Sequence, residues 1–290
     1  MHTLFAYTRD PGNRIVRFEV DRAVQATMTA FLDAQAETFD CVCEEVVFDG
    51  KYKPDDGEML VINEFEDLDN LSHAVEAPLN VPIADPSSFS FDSIRALFFG
   101  ETGSDGSTSV YLQNFDRRRV ISSNGFSIFH AQGVYKKIEG TGLTLDTKIA
   151  AKLTSTKLRF FSFFHVRQIF DMTSYYQEAT DADIREFAQL QQVRVSDMDA
   201  FVAVSDSWIR RKLWLIRQSQ ILERVSPNDI RAIAAEFQIP VEYEHIGEEE
   251  RIRLPADRKS LKTLLRFLDE DYYKSPLSKT NFLSNSKRAV

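Results

Sequence analysis

Hydrophobic positions in the first part of the chain come in short runs separated by turn residues. Leu4 to Thr8 and Ile15 to Val20 are β-rich runs around Asp10-Pro11-Gly12-Asn13, and together they predict a hairpin. The spacing then becomes helical. Val24, Met28, Phe31 and Leu32 follow the capping residue Asp21 and predict a helix from about Arg22 to Phe39. Cys41 to Phe48 reads as a buried strand closed by Asp49-Gly50, Met59 to Ile62 as another strand, and Asp67 to Val75 as a short helix. The Pro- and Ser-rich stretch from Pro78 to Ser90 predicts an irregular connection.

Strands dominate next. Ile94 to Phe99 and Ser109 to Phe115 flank a Gly-rich GETGSDGS loop. Arg119 to Ser122, Phe126 to Phe129, Gly133 to Lys137, Thr147 to Leu153 and Leu158 to Phe163 continue the series. The period then changes to helical, with segments near Val166–Tyr176, Asp183–Gln191, Met198–Val204, Asp206–Val225 and Asn228–Phe237. Strands at Val241–His245 and Arg251–Leu254 precede a last helix, Arg258–Leu268, with Leu261, Leu264, Leu265 and Leu268 on one face. Sheet first and helix afterwards makes the expected class α+β.

Composition narrows the classes. At 290 residues, 43% hydrophobic and 27% charged, the chain is neither disordered, collagenous nor a disulfide scaffold, and its length favours two domains. It has no apolar run of membrane-spanning length and no secretory leader pattern, so the cytoplasm is the expected location. Net charge is −9 but unevenly spread. Residues 1–116 hold 7 Lys and Arg against 22 Asp and Glu, and residues 117–290 hold 28 against 22. The expected organisation is therefore an acidic N-terminal region, 1–116, and a basic C-terminal domain, 117–290. The overall acidity does not exclude nucleic acid as a partner of the second part.

Catalytic and metal motifs are sparse, and no cofactor is expected. The histidines have no paired metal-ligand spacing, Cys41 and Cys43 read as structural thiols, and the Gly-rich loop lacks the Gly-Lys-Ser/Thr of a phosphate loop. Asp146-Thr147-Lys148 is the half-motif of a metal-dependent nuclease and needs a second acid, such as Asp116 or Glu139. Phe160-Phe161-Ser162-Phe163-Phe164 reads as a strand buried on both faces, with base stacking the alternative. The basic positions carry more. Arg210, Arg217 and Arg224 fall seven apart on one predicted helix, flanked by Arg211 and Lys212. A second cluster is Arg258, Lys259, Lys262 and Arg266; the extreme end adds Lys287 and Arg288. Together they describe a surface able to track DNA phosphates, and equally an ordinary solvated helix face.

The last 26 residues carry a recognisable run: Leu268-Asp269-Glu270-Asp271, Tyr272-Tyr273, Ser275-x-Leu277-Ser278, then Asn285-Ser286-Lys287. This run resembles the terminal signature of the KwaB family, the soluble subunit of the bacterial Kiwa anti-phage system. Asp269, Tyr273 and Ser278 stand where that family commonly has Asn, Leu and Thr. Lys148 to Leu153 with Lys157 to Phe161, Phe164 to Phe170, and Trp208 to Leu213 are also similar to the family, so the resemblance spans roughly residues 140–290. It implies a defence protein without established catalytic residues. The same resemblance implies DNA binding, a membrane partner, KwaA, and a homodimer.

Overall fold

The computed structural model describes residues 2–41, 44–67, 69–85, 88–121, 128–131, 133–137, 141–247, 249–284 and 286. Within them the chain is α+β and falls into two compact units. The first comprises Met1–Phe48 and Pro54–Met172; the second comprises Asp49–Lys53 and Thr173–Val290.

The first unit is built on an eight-stranded sheet. Its strands are β1 (Phe5–Thr8), β2 (Ile15–Arg17), β3 (Glu44–Val47), β4 (Glu58–Asn63), β5 (Ile94–Thr102), β6 (Thr108–Asn114), β11 (Ala151–Thr154) and β12 (Lys157–Phe160), ordered β2-β1-β5-β6-β11-β12-β4-β3. All neighbours are antiparallel except β3 and β4. The central strands read as continuous apolar runs because helices cover both faces, so residues of either parity must be buried. On one face α1 (Arg22–Asp40), capped by the Asp21 carboxylate on the Ala23 N–H, packs Met28, Leu32 and Phe39 against Leu4, Ala6, Leu97 and Phe99. On the other, α2 (Leu71–Glu76) and α3 (Phe163–Ile169) lie over β5 and β6.

Smaller pairs, β7 (Val120–Ile121) with β10 (Gly142–Leu143) and β8 (Ile128–Ala131) with β9 (Val134–Lys137), stand apart from the large sheet. The Gly-rich stretch is the β5–β6 hairpin loop, closed by the Gly103 N–H on the Ser107 carbonyl at 2.8 Å. The expected break at 116/117 marks a change in charge, not in structure. Strands β11 and β12 lie beyond it yet pair into the same sheet as β4 and β6.

The second unit surrounds one apolar cluster with helices α4 (Asp181–Phe187), α5 (Met198–Val204), α6 (Ser207–Ser219), α7 (Ile221–Arg224), α8 (Pro227–Glu236) and α9 (Arg258–Leu268). A three-stranded sheet joins them: β13 (Val193–Arg194), β15 (Glu249–Arg253) and β14 (Glu242–Ile246), in that order. Side-chain caps start most of these helices, from Thr180, Asp197, Asp206, Ser226 and Asp257. The leucine face expected of α9 is real: Leu261, Leu264, Leu265 and Leu268 are all buried within the unit. A terminal hairpin, β16 (Tyr272–Lys274) with β17 (Asn281–Leu283), makes the tail an edge strand. Phe282 stacks on Tyr273 at 5.3 Å and stays half exposed.

Helix α6 is buried on more than one side. Ile209, Leu213 and Ile216 enter the apolar cluster. Lys212, one step round, points its ammonium between the Asp269 and Asp271 carboxylates at 2.6 Å each. All three charges are buried, with 10%, 3% and 1% of their side chains exposed. Such a set is costly to break, because removing the cation takes its charge away from two desolvated anions. Lys212→Met is therefore expected to lower unfolding free energy by about 3–5 kcal/mol in denaturant titrations. Adding Asp269→Asn and Asp271→Asn should recover part of that loss.

Candidate nucleic-acid interface

The basic residues of the second unit divide according to how many carboxylates they meet. On α6, Arg210 is fully engaged. Its Nε donates to the Ser205 carbonyl and Nη1 to the Ala179 carbonyl, both at 3.0 Å, and Nη2 pairs with Asp181 at 2.6 Å. Arg217 pairs with Asp183 at 3.3 Å and Glu186 at 2.5 Å. The acids of α4 thus neutralise the outer face of α6 and tie the two helices together.

The stripe is also interrupted. Gln220 adopts a left-handed conformation (φ 53°) and ends α6, so Arg224 belongs to α7 and bonds only the Gln220 side chain, at 3.3 Å. No glycine marks that break. Arg211 and Lys212, expected to flank the stripe at the surface, point inward. Arg211 lies over the Tyr176 ring at 4.2 Å, donates from Nη1 to the Gln177 carbonyl at 2.8 Å, and is pushed below the ordinary arginine range by burial. A side chain at Gly50 (φ +76°) would collide with that guanidinium, which gives the Asp49-Gly50 turn a packing reason as well as a conformational one.

Helix α9 presents the opposite situation. Arg258, Lys259, Lys262 and Arg266 share it with no acid between Arg258 and Leu268. Among the described residues one carboxylate, Asp206, faces them, taking an ion pair from Arg258 and another from Lys262 at 2.9 Å. Lys262 and Arg266 also lie over the Trp208 ring at 5.1 and 5.4 Å. Lys259 is exposed, and among the described residues neither it nor Arg266 meets a carboxylate. From Arg258 to Arg266 the helix rises roughly 12 Å, some three to four nucleotide steps along a duplex axis. Lys287 and Arg288 lie outside the described residues.

Asp206 is the hinge of this arrangement. Its carboxylate caps α6 by accepting the Ile209 N–H at 2.9 Å while neutralising two cations of α9. Burial opposes its ionisation, but the Ile209 N–H, Lys262 and Arg258 outweigh that and hold the group at about 2 instead of 3.8.

Among the described residues the nuclease half-motif does not assemble. The Asp146 carboxylate is held by Arg119 at 2.6 Å and Asp116 caps the Arg118 N–H, while Glu139 lies outside the described residues. Among the described residues no group of three His, Cys, Asp or Glu side chains converges as metal ligands. Cys41 caps the C-terminus of α1 and is exposed, so the strand expected from Cys41 starts only at Glu44; Cys43 lies outside the described residues. The Phe-rich run is also reassigned. Strand β12 ends at Phe160 and α3 starts at Phe163, which leaves Phe161 and Phe164 exposed.

Comparison with known proteins gives one match. The Kiwa protein KwaB-like family profile covers residues 106–278, more than half of the chain. The chain belongs to this family, and membership carries a role in Kiwa anti-phage defence. No curated protein matches the chain, and no solved structure does.

The lowered Asp206 ionisation sets an acid limit on the second unit. A carboxyl held at about 2 against 3.8 contributes stability that is complete above about 3.8 and is lost as pH falls through about 2. Asp206→Asn keeps a capping oxygen but cannot ionise. Its melting temperature, followed from pH ~5 down to pH ~2, should fall less steeply than that of the parent.

Proposed function

We propose that this chain is a non-catalytic defence subunit that binds duplex DNA through the basic face of α9 and hinders phage replication or transcription. One observation carries the reading: four cations on one helix, opposed by a single carboxylate. That surplus is the chemistry of backbone contact without base readout, so affinity is set by counterion release and varies little with sequence. Lys259, Lys262 and Arg266 lead the contact. Arg224, Lys287 and Arg288 extend it, while Arg210, Arg211, Lys212 and Arg217 serve it from behind by holding α6 in place.

The family supports a partner protein, which we assign as the membrane protein KwaA. No helix among the described residues is long and apolar enough to cross a membrane. In this reading, association with a bilayer runs through that partner from the cytoplasmic side. The acidic 1–116 segment supplies a potential suited to a basic partner surface. A homodimer completes the assembly.

Anisotropy titrations with a fluorescent duplex test the DNA contact. Lys259→Glu with Arg266→Glu should weaken binding severalfold and lower the slope of log affinity against log salt by about one for each lost phosphate contact, with melting unchanged. Asp206→Asn releases Arg258 and Lys262 and should tighten binding. Reversing Arg210 and Arg217 should instead lower the melting temperature, because it breaks the ties between α4 and α6. Duplex affinity at low salt that is indifferent to the α9 pair would remove this reading and leave a protein-docking subunit without DNA contact.

A further inference from the structure

The first unit contains a cleft of about 830 Å³, walled by the ends of β5 and β6, the 117–119 turn and the start of α3. Its volume lies in the range of small-molecule sites. Two features set its chemistry. Phe164 and Phe161 line it with 61% and 38% of their surface exposed, and the His165 ring meets Phe164 at 5.7 Å. Together the two rings form a small apolar patch beside the cleft that a flat ligand can cover.

The cleft also has cations to spare. Arg117 and Arg119 are paired with Asp92 and Asp146, whereas no carboxylate among the described residues pairs with Arg9 or Lys148, which are exposed and also line the cleft. Asp116, the remaining acid of the lining, caps the 117–119 turn.

We propose that this cleft binds one unpaired nucleotide, its base stacked on Phe164 and its phosphate held by Arg9 and Lys148. A paired base hides its faces in the stack, so a duplex does not satisfy these groups, whereas a single strand or a free nucleotide does. The site belongs to the first unit and does not depend on duplex binding by α9.

The test uses the full chain. A fluorescent ten-nucleotide single strand and adenosine monophosphate are titrated into the parent and into Phe164→Ala, Phe164→Trp and Lys148→Glu; duplex binding is measured alongside. Phe164 is largely exposed, so Phe164→Ala should melt like the parent. Its affinity for the strand should drop roughly tenfold or more, with Phe164→Trp restoring it and duplex binding unchanged. Lys148→Glu should cause a comparable loss and lower the slope of log affinity against log salt. If the monophosphate binds with the same sensitivity, free nucleotide is a source of the ligand; if only the oligomer does, the source is a strand. Binding of neither probe at low salt overturns the proposal, as does strand affinity untouched by all three variants. Equal losses on strand and duplex overturn it as well. Loss of duplex binding through the α9 variants alone bears only on the earlier reading.

Discussion

The second unit is organised by a charge that cannot be left alone. Lys212 sits in the wall of the protein, out of water, and is compensated by Asp269 and Asp271 at comparable depth. Buried pairs of this kind add little net stability over a well-packed apolar set, but they tolerate few alternatives. A shift of α6 by one residue would turn its side chains by about 100° and place the ammonium among leucines. The triad therefore fixes the rotation of α6 and its register against the end of α9. The Arg210 and Arg217 pairs on the outer face, the Arg211 stack on Tyr176 and the Asp206 contact with α9 all follow from that one orientation.

This orientation separates cations by occupation more than by number. Helix α6 is rich in arginine and lysine, yet acids or carbonyls of its own unit use most of them. Helix α9 has a similar count of cations but shares one aspartate among them. The distinction decides which surface keeps charge that its own unit does not neutralise. The first unit repeats the logic on a smaller scale, with two arginines paired and two cations left facing a cleft lined by phenylalanine.

Much of the architecture could be read from residue spacing, and the failures have physical causes. Helices α5 and α9 have the ends their sequence predicts, because an Asp cap precedes each and a clear apolar face runs through them. The hairpin around residue 12 and the β5–β6 loop follow from turn residues. The expected helix of residues 206–225 breaks at Gln220, where a non-glycine residue takes a left-handed conformation without a local signal. The Phe-rich run misled for a different reason. Consecutive aromatics suit a strand with two covered faces, but only Phe160 has neighbours on the sheet, and the chain turns into α3 immediately afterwards. Ion-pair partners were the least legible feature. Asp181, Asp183 and Glu186 lie about thirty residues from the arginines they neutralise, and sequence spacing says nothing about such separations.

The short excursion at Asp49–Lys53 has a consequence for how the protein is made. Those five residues belong to the second unit, where Gly50 leaves room for Arg211, Lys51 approaches Asp269 at 3.9 Å, and the Lys53 N–H donates to the Ser286 hydroxyl at 2.9 Å. The remainder of that unit leaves the ribosome only after residue 172. An early piece must therefore wait for the surface it completes until those later residues are made, and its contact with Ser286 closes only once that residue emerges. Cutting the gene at the apparent boundary would yield a C-terminal fragment with an open seam along α6, whereas the intact polypeptide carries its own patch from the outset.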